Sequence, residues 1–284
     1  MKPKAMTIIH KGEPFELPFI VHQASSANLY SLLDYETACS LCEKENYKPI
    51  IIKTPEGGKK AAGFVAAIDY KKTSAVPYLE WSLGIFVIPK EQDTPEVYFI
   101  NETSLFFQSI LDNELIGNNV FCPKLVLNES LPTEIGFEYY GYPKEIGEIN
   151  YKHDEQVSNF SVSTKEGPWI MKASFPTRRG IFAKFGLLWA MFRAYNFRLV
   201  LQSLSKKEFI VTLVGSAKII AKKAHMKIKN DPNTEMFPWN NQDCQMEMNP
   251  ESKWGKVLLD LQVQPKLVCH VSNLGFELSE PFDQ

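Results

Sequence analysis

Apolar residues fall along the 284-residue chain mostly in short β-branched and aromatic runs, closed at their ends by Pro, Gly or Asn. Tyr78 to Ile88, Val97 to Ile100, Trp169 to Phe175 and Phe197 to Leu204 are runs of this kind and predict strands. Phe209 to Ala221 and Val257 to Leu278 are longer, with partial period-two alternation, and predict strands as well. Helical spacing is rarer. Leu29, Leu32, Leu33 and Leu41 repeat at helical intervals behind Ser25-Ser26, which suits a cap, so a helix is expected to about Lys44. Short helices are expected around Ser104 to Leu115 and Phe182 to Tyr195. Many strands, few helices and no regular alternation of the two predict a mainly β (α+β) protein: a large antiparallel sheet closed into a barrel or cone, with a few peripheral helices. Lys227 to Gly255 is the least regular stretch and reads as an excursion between strands. No linker divides the chain, so residues 1–284 are expected to form one domain.

Composition narrows the classes of function. Lys plus Arg number 31 against 33 Asp plus Glu, a formal net charge of -2, which gives no general attraction to nucleic acid or to an anionic membrane. The most apolar window, Phe185 to Phe192, is far shorter than a bilayer span. Met1 to Phe19 has no apolar core of a secretion signal, and the five cysteines form no disulfide framework, so a reduced, cytoplasmic protein is expected.

Most candidate chemistry has a plainer structural reading. Cys39 and Cys42 have the spacing of half a zinc site, but no second pair of ligands follows, and a helix face explains them. The five histidines are scattered, and no metal or organic cofactor is expected. Glu56-Gly-Gly-Lys-Lys60 reads as a hairpin turn and Lys218 to Lys229 as a solvated strand face. One segment stands apart: Gly136-Phe-Glu-Tyr-Tyr-Gly-Tyr-Pro-Lys-Glu-Ile-Gly147. Burial statistics alone would make Lys144 an exposed turn lysine. An aromatic, desolvated pocket would instead disfavour the charged form and leave an amine able to attack a ketone and form a Schiff base.

Glu138-Tyr-Tyr-Gly-Tyr-Pro-Lys144 resembles the signature of the acetoacetate decarboxylase family, in which a glutamate precedes a Tyr/Phe-Pro-Lys segment bearing the Schiff-base lysine. Pro77-Tyr78-Leu-Glu80 resembles the family's Pro-Tyr-x-Glu element, and Tyr195-Asn196-Phe197-Arg-Leu199 its Asn-aromatic-x-Leu strand entry. The resemblance implies Lys144 and Glu80 as catalytic residues, with Tyr78, Glu138, Tyr142 and Glu145 binding substrate or supporting the site. Glu138 is expected to hold the lysine segment in place. It further implies a small keto-acid or carbonyl substrate, no cofactor, and a dimer or larger homo-oligomer. The chain departs from the pattern at Glu145, where the family has a second lysine, and no arginine precedes Arg178. Three functions are consistent with these residues: decarboxylation of a small β-keto acid, Schiff-base aldol condensation with dehydration, and non-catalytic binding of a carbonyl compound.

Overall fold

The fold is that of a computed structural model, which describes residues 6–43, 45–94, 97–98, 119–177, 208–214, 222–229 and 234–283. The helices expected at Ser104 to Leu115 and Phe182 to Tyr195, and the strand expected at Phe197 to Leu204, lie outside these residues. In chain order, β1 (Met6–His10) and β2 (Glu13–Leu17) form a separate antiparallel hairpin. β3 (Phe19–Asp34) runs into helix α1 (Tyr35–Cys42), and the short strands β4 (Tyr47–Pro49) and β5 (Ile52–Lys53) follow. A long hairpin pairs β6 (Lys59–Thr73) with β7 (Tyr78–Pro89). After β8 (Val97–Tyr98) come β9 (Asn119–Leu127), helix α2 (Ser130–Glu138) and β10 (Lys144–His153). β11 (Val157–Thr164) and β12 (Trp169–Pro176) continue as a meander, followed by β13 (Glu208–Val214), β14 (Lys222–Lys229), β15 (Glu235–Pro238) and β16 (Gln245–Met248). Helix α3 (Lys253–Asp260), β17 (Gln264–Leu278) and β18 (Phe282–Asp283) complete the described chain.

Seven strands close a ring, in the order β3, β6, β7, β9, β13, β14, β17 and back to β3. The sheet is mixed rather than wholly antiparallel, because β9 runs parallel to both β10 and β13. Helix α2 explains the first of these pairings. It carries the chain back along β9, so that β10 starts beside β9 in the same direction, as a parallel crossover requires. Beyond its first three residues β10 parts from β9 and pairs antiparallel with β11, which continues through β12 to β16.

Two of the expected elements change. Ser25 to Asp34 is strand, not helix: β3 is hydrogen-bonded by β17 on one side and β6 on the other. Leu29 and Leu33 pack on one face and Leu32 on the other. A strand buried on both faces is apolar at nearly every position, and such a run contains helical intervals by accident. The helix starts only at Tyr35, where the Asp34 carboxylate accepts the Thr37 N–H at 3.0 Å. Similarly, Val257 to Asp260 belong to α3, capped by the Ser252 hydroxyl, and strand resumes at Gln264.

Alternation along β7 defines two apolar layers. Tyr78, Phe86 and Ile88 join one, while Trp81, Leu83, Ile85 and Val87 join the other. The second layer is shared with β11, β12 and α3; the first holds Tyr70, Cys122, Leu125, Leu127, Tyr140 and Tyr142. Each fully buried Leu, Ile or Phe contributes about 1.5–3 kcal/mol relative to exposure.

Candidate active site

Lys144 is the first residue of β10 and lies in register with Leu125 of β9. Glu80, near the start of β7, lies in register with Leu127 on the opposite side of β9. Two positions along one strand therefore bring together side chains 64 residues apart in sequence. The Lys144 Nζ donates to Glu80 Oε2 at 2.9 Å, and the two side chains are only 9% and 8% exposed. The preceding loop fixes this placement. Gly141 takes φ +67°, a left-handed conformation that glycine adopts without a Cβ clash. The turn lets the Tyr142 N–H donate to the Gly136 carbonyl at 2.9 Å. At Pro143 the chain turns tightly into β10, the Lys144 N–H donating to the Tyr142 carbonyl at 2.7 Å.

Tyrosines line the amine. Tyr70 and Tyr78 face each other across the β6–β7 pairing with ring centroids 4.2 Å apart, and the Tyr70 hydroxyl donates to Glu80 Oε1 at 3.3 Å. The Tyr78 ring lies 6.0 Å from the Lys144 Nζ. Tyr142 stacks on Tyr140 at 5.6 Å, and both are buried. Burial, reinforced at Tyr70 and Tyr78 by the charge of Glu80, holds the Tyr70, Tyr78 and Tyr142 phenols well above their ordinary value, so they stay protonated and can donate. Burial also pushes the Cys122 thiol up to about 12, which makes it a neutral wall rather than a second nucleophile. The site thus offers a largely buried amine, a carboxylate in hydrogen-bond contact with it, and neutral hydroxyl donors. Among the described residues no cluster of three or more His, Cys, Asp or Glu could hold a metal ion.

Comparison with solved structures matches this architecture over nearly its whole length. Acetoacetate decarboxylase from Legionella pneumophila subsp. pneumophila str. Philadelphia 1 superposes with a TM-score of 0.59 at 10% identity, covering 94% of this chain and 87% of the other. A second acetoacetate decarboxylase structure gives 0.57 at 10% identity, with coverage of 94% and 89%. The fold is acetoacetate decarboxylase-like. The enduracididine biosynthesis enzyme MppR, complexed with pyruvate, shares it with a TM-score of 0.54 at 11% identity, covering 93% and 88%. At such identities the likeness carries the fold alone. No family profile and no curated protein matches the sequence.

On this acetoacetate decarboxylase-like scaffold, the remaining site residues from the sequence separate. Tyr78 and Tyr142 share the layer that holds Lys144, as described. Glu138 does not reach the amine: its side chain is 51% exposed, with Oε2 3.5 Å from His10 Nδ1 in the β1–β2 hairpin. It ends α2 two residues after Gly136, and positions two apart on a helix point to nearly opposite sides. Glu145 also turns away. It forms an ion pair with Lys124, whose Nζ lies 5.5 Å from the Trp254 ring centroid, in the other apolar layer.

Four residues of this region carried no assignment from sequence: Tyr70, Cys122, Lys124 and Gly136. Tyr70 had a signal, since it and Tyr78 flank the Ser74 to Pro77 turn at positions that pair across a hairpin. Lys124 had one too, as a single charge inside the otherwise apolar run Val120 to Leu127, which demands a partner. Cys122 and Gly136 had none.

Proposed function

We propose that the chain is a Schiff-base-forming lyase that decarboxylates a small β-keto acid, with Lys144 as the nucleophile. The observation that carries this reading is the buried Lys144–Glu80 pair at 2.9 Å among tyrosines. Glu80 takes a proton from the ammonium, and the free amine attacks the ketone carbon. Loss of water gives a protonated imine joined to Lys144. The imine nitrogen accepts the electron pair as the bond to the carboxylate breaks and CO2 leaves. The resulting enamine is protonated at carbon, with Glu80 or a neighbouring phenol as donor, and water releases the ketone and regenerates the amine. The balance is one keto-acid carboxylate and one proton in, one ketone and one CO2 out. Aromatic walls support the step that expels CO2, because a carboxylate stripped of water is destabilised relative to the neutral product.

Aldol condensation with dehydration is a second reading, favoured by the Tyr70–Glu80 hydrogen bond. A carboxylate that shares a proton with a phenol can abstract and return protons at carbon while the imine persists. Incubation with acetoacetate, and with pyruvate plus an aldehyde, separates the two. Release of CO2 and acetone from the first supports decarboxylation, and a dehydrated adduct from the second supports the aldol reaction. Neither product, with no imine trapped by borohydride from either mixture, refutes both.

A further inference from the structure

The side chain of Lys144 has a seat on helix α2. Gly136, the seventh of its nine residues, is buried, and a Cβ placed there would lie 2.3 Å from Lys144 Cδ, 2.5 Å from Cε and 3.0 Å from Nζ. Ordinary carbon contacts are about 3.5–4.0 Å, so any residue but glycine would force the lysine stem aside by roughly 1–1.5 Å. All three atoms belong to the far end of one flexible side chain. The same helix is held from outside by the β1–β2 hairpin, where His10 Nε2 and Lys11 Nζ meet Glu134 Oε2 at 2.9 Å and 2.8 Å.

We propose that Gly136 is a positioning residue for the nucleophile: its missing side chain seats the Lys144 stem, and that seat places Nζ on Glu80. The inference rests on Lys144 as the reactive amine and adds the surface that aims it. Glycine is the weakest helix former after proline, so its presence in the last turn of α2 at this contact has a reason other than helix stability.

The test is Gly136→Ala in the full chain, with Phe137→Ala, an exposed change on the same helix, as control. Three quantities are read: the thermal midpoint, acylation of Lys144 by limiting acetic anhydride followed by peptide mass spectrometry, and borohydride trapping with acetoacetate. In Gly136→Ala the midpoint stays or rises, since alanine favours helix. Acylation of Lys144 rises as the amine leaves the buried pair. Trapping falls about a hundredfold, the loss that misplacing a reacting group by an ångström brings. Phe137→Ala leaves all three near wild type. A lowered midpoint in Gly136→Ala would overturn the inference, because the fold and not the lysine would then need the glycine. Unchanged acylation, or equal effects in the control, would overturn it as well. Acylation involves no keto acid, so wild-type protein that traps none would count against the proposed reaction, while the acylation contrast would still decide the role of Gly136.

Discussion

Lys144 and Glu145 are neighbours in sequence, and each makes an ion pair, but the two pairs belong to different parts of the molecule. The Lys144–Glu80 pair lies among Tyr70, Tyr78 and Tyr142, with both side chains under a tenth exposed. In the Glu145–Lys124 pair the lysine is 6% exposed and the carboxylate 38%, and the pair lies toward Trp254 and α3. Strand alternation at the start of β10 sends the two side chains to opposite faces, and β9 supplies the wall between them. An apparently disabling change, a carboxylate beside the nucleophile, therefore need not act on the nucleophile at all. On the proposed reading the first pair carries the chemistry. The second neutralises a lysine that the fold has buried.

This contrast can be broken by substitution. The largest effect is expected at Glu80: Glu80→Gln removes the proton acceptor and should lower the maximal rate of imine trapping about a hundredfold or more, in line with a general base. The check is trapping at saturating acetoacetate across pH. Residual trapping close to wild type would mean that the carboxylate is only structural.

The second pair should respond in stability instead. Glu145→Leu strands a buried ammonium and should destabilise the protein by about 3 kcal/mol, whereas Lys124→Met leaves a carboxylate that reaches water and should cost about 1 kcal/mol. The double variant should be more stable than Glu145→Leu alone. Denaturant unfolding measures all three, and trapping per folded molecule should change by no more than about twofold, since the Glu145 carboxylate is paired with Lys124 and partly exposed to solvent. A large change in trapping by Glu145→Leu would merge the two regions that the structure separates.

A smaller effect follows from titration of Lys124. Burial, opposed by the bond to Glu145, holds its pKa below the ordinary 10.5. Its folded value being depressed, the ammonium is penalised by folding at neutral pH, and that penalty disappears as pH rises through the depressed value toward 10.5. Wild type should therefore gain stability relative to Lys124→Met over that interval. An opposite trend in paired denaturation curves would show that Glu145 outweighs burial.

Much of this arrangement was legible in the residues. The run Tyr78 to Ile88 appears as β7, Tyr78–Pro89, and Trp169 to Phe175 as β12, Trp169–Pro176, because short apolar runs bounded by breakers leave little choice. The Pro-Tyr-Leu-Glu and Tyr-Pro-Lys segments pointed to Glu80 and Lys144, which the fold places 2.9 Å apart. What escaped has physical causes. β3 carries a helical signature in sequence because burial on both faces erases the period that distinguishes strand from helix. Helix α2 was hidden by Pro132 and Gly136, although Pro132 falls in the first turn, where a missing N–H does no harm. The resemblance gives Glu138 to the lysine segment, but helix rotation sends its side chain toward His10. Gly136 could not be found at all, since its role exists only in the space shared with a residue eight positions later.

The most direct test of the account is to locate the trapped carbon. Wild-type protein and Lys144→Gln are incubated with acetoacetate and borohydride, digested, and mapped by mass spectrometry for a reduced adduct. The account predicts one dominant adduct on Lys144 in wild type and none at any lysine in Lys144→Gln. A wild-type adduct on another lysine such as Lys124, or equal labelling in the two proteins, would contradict it.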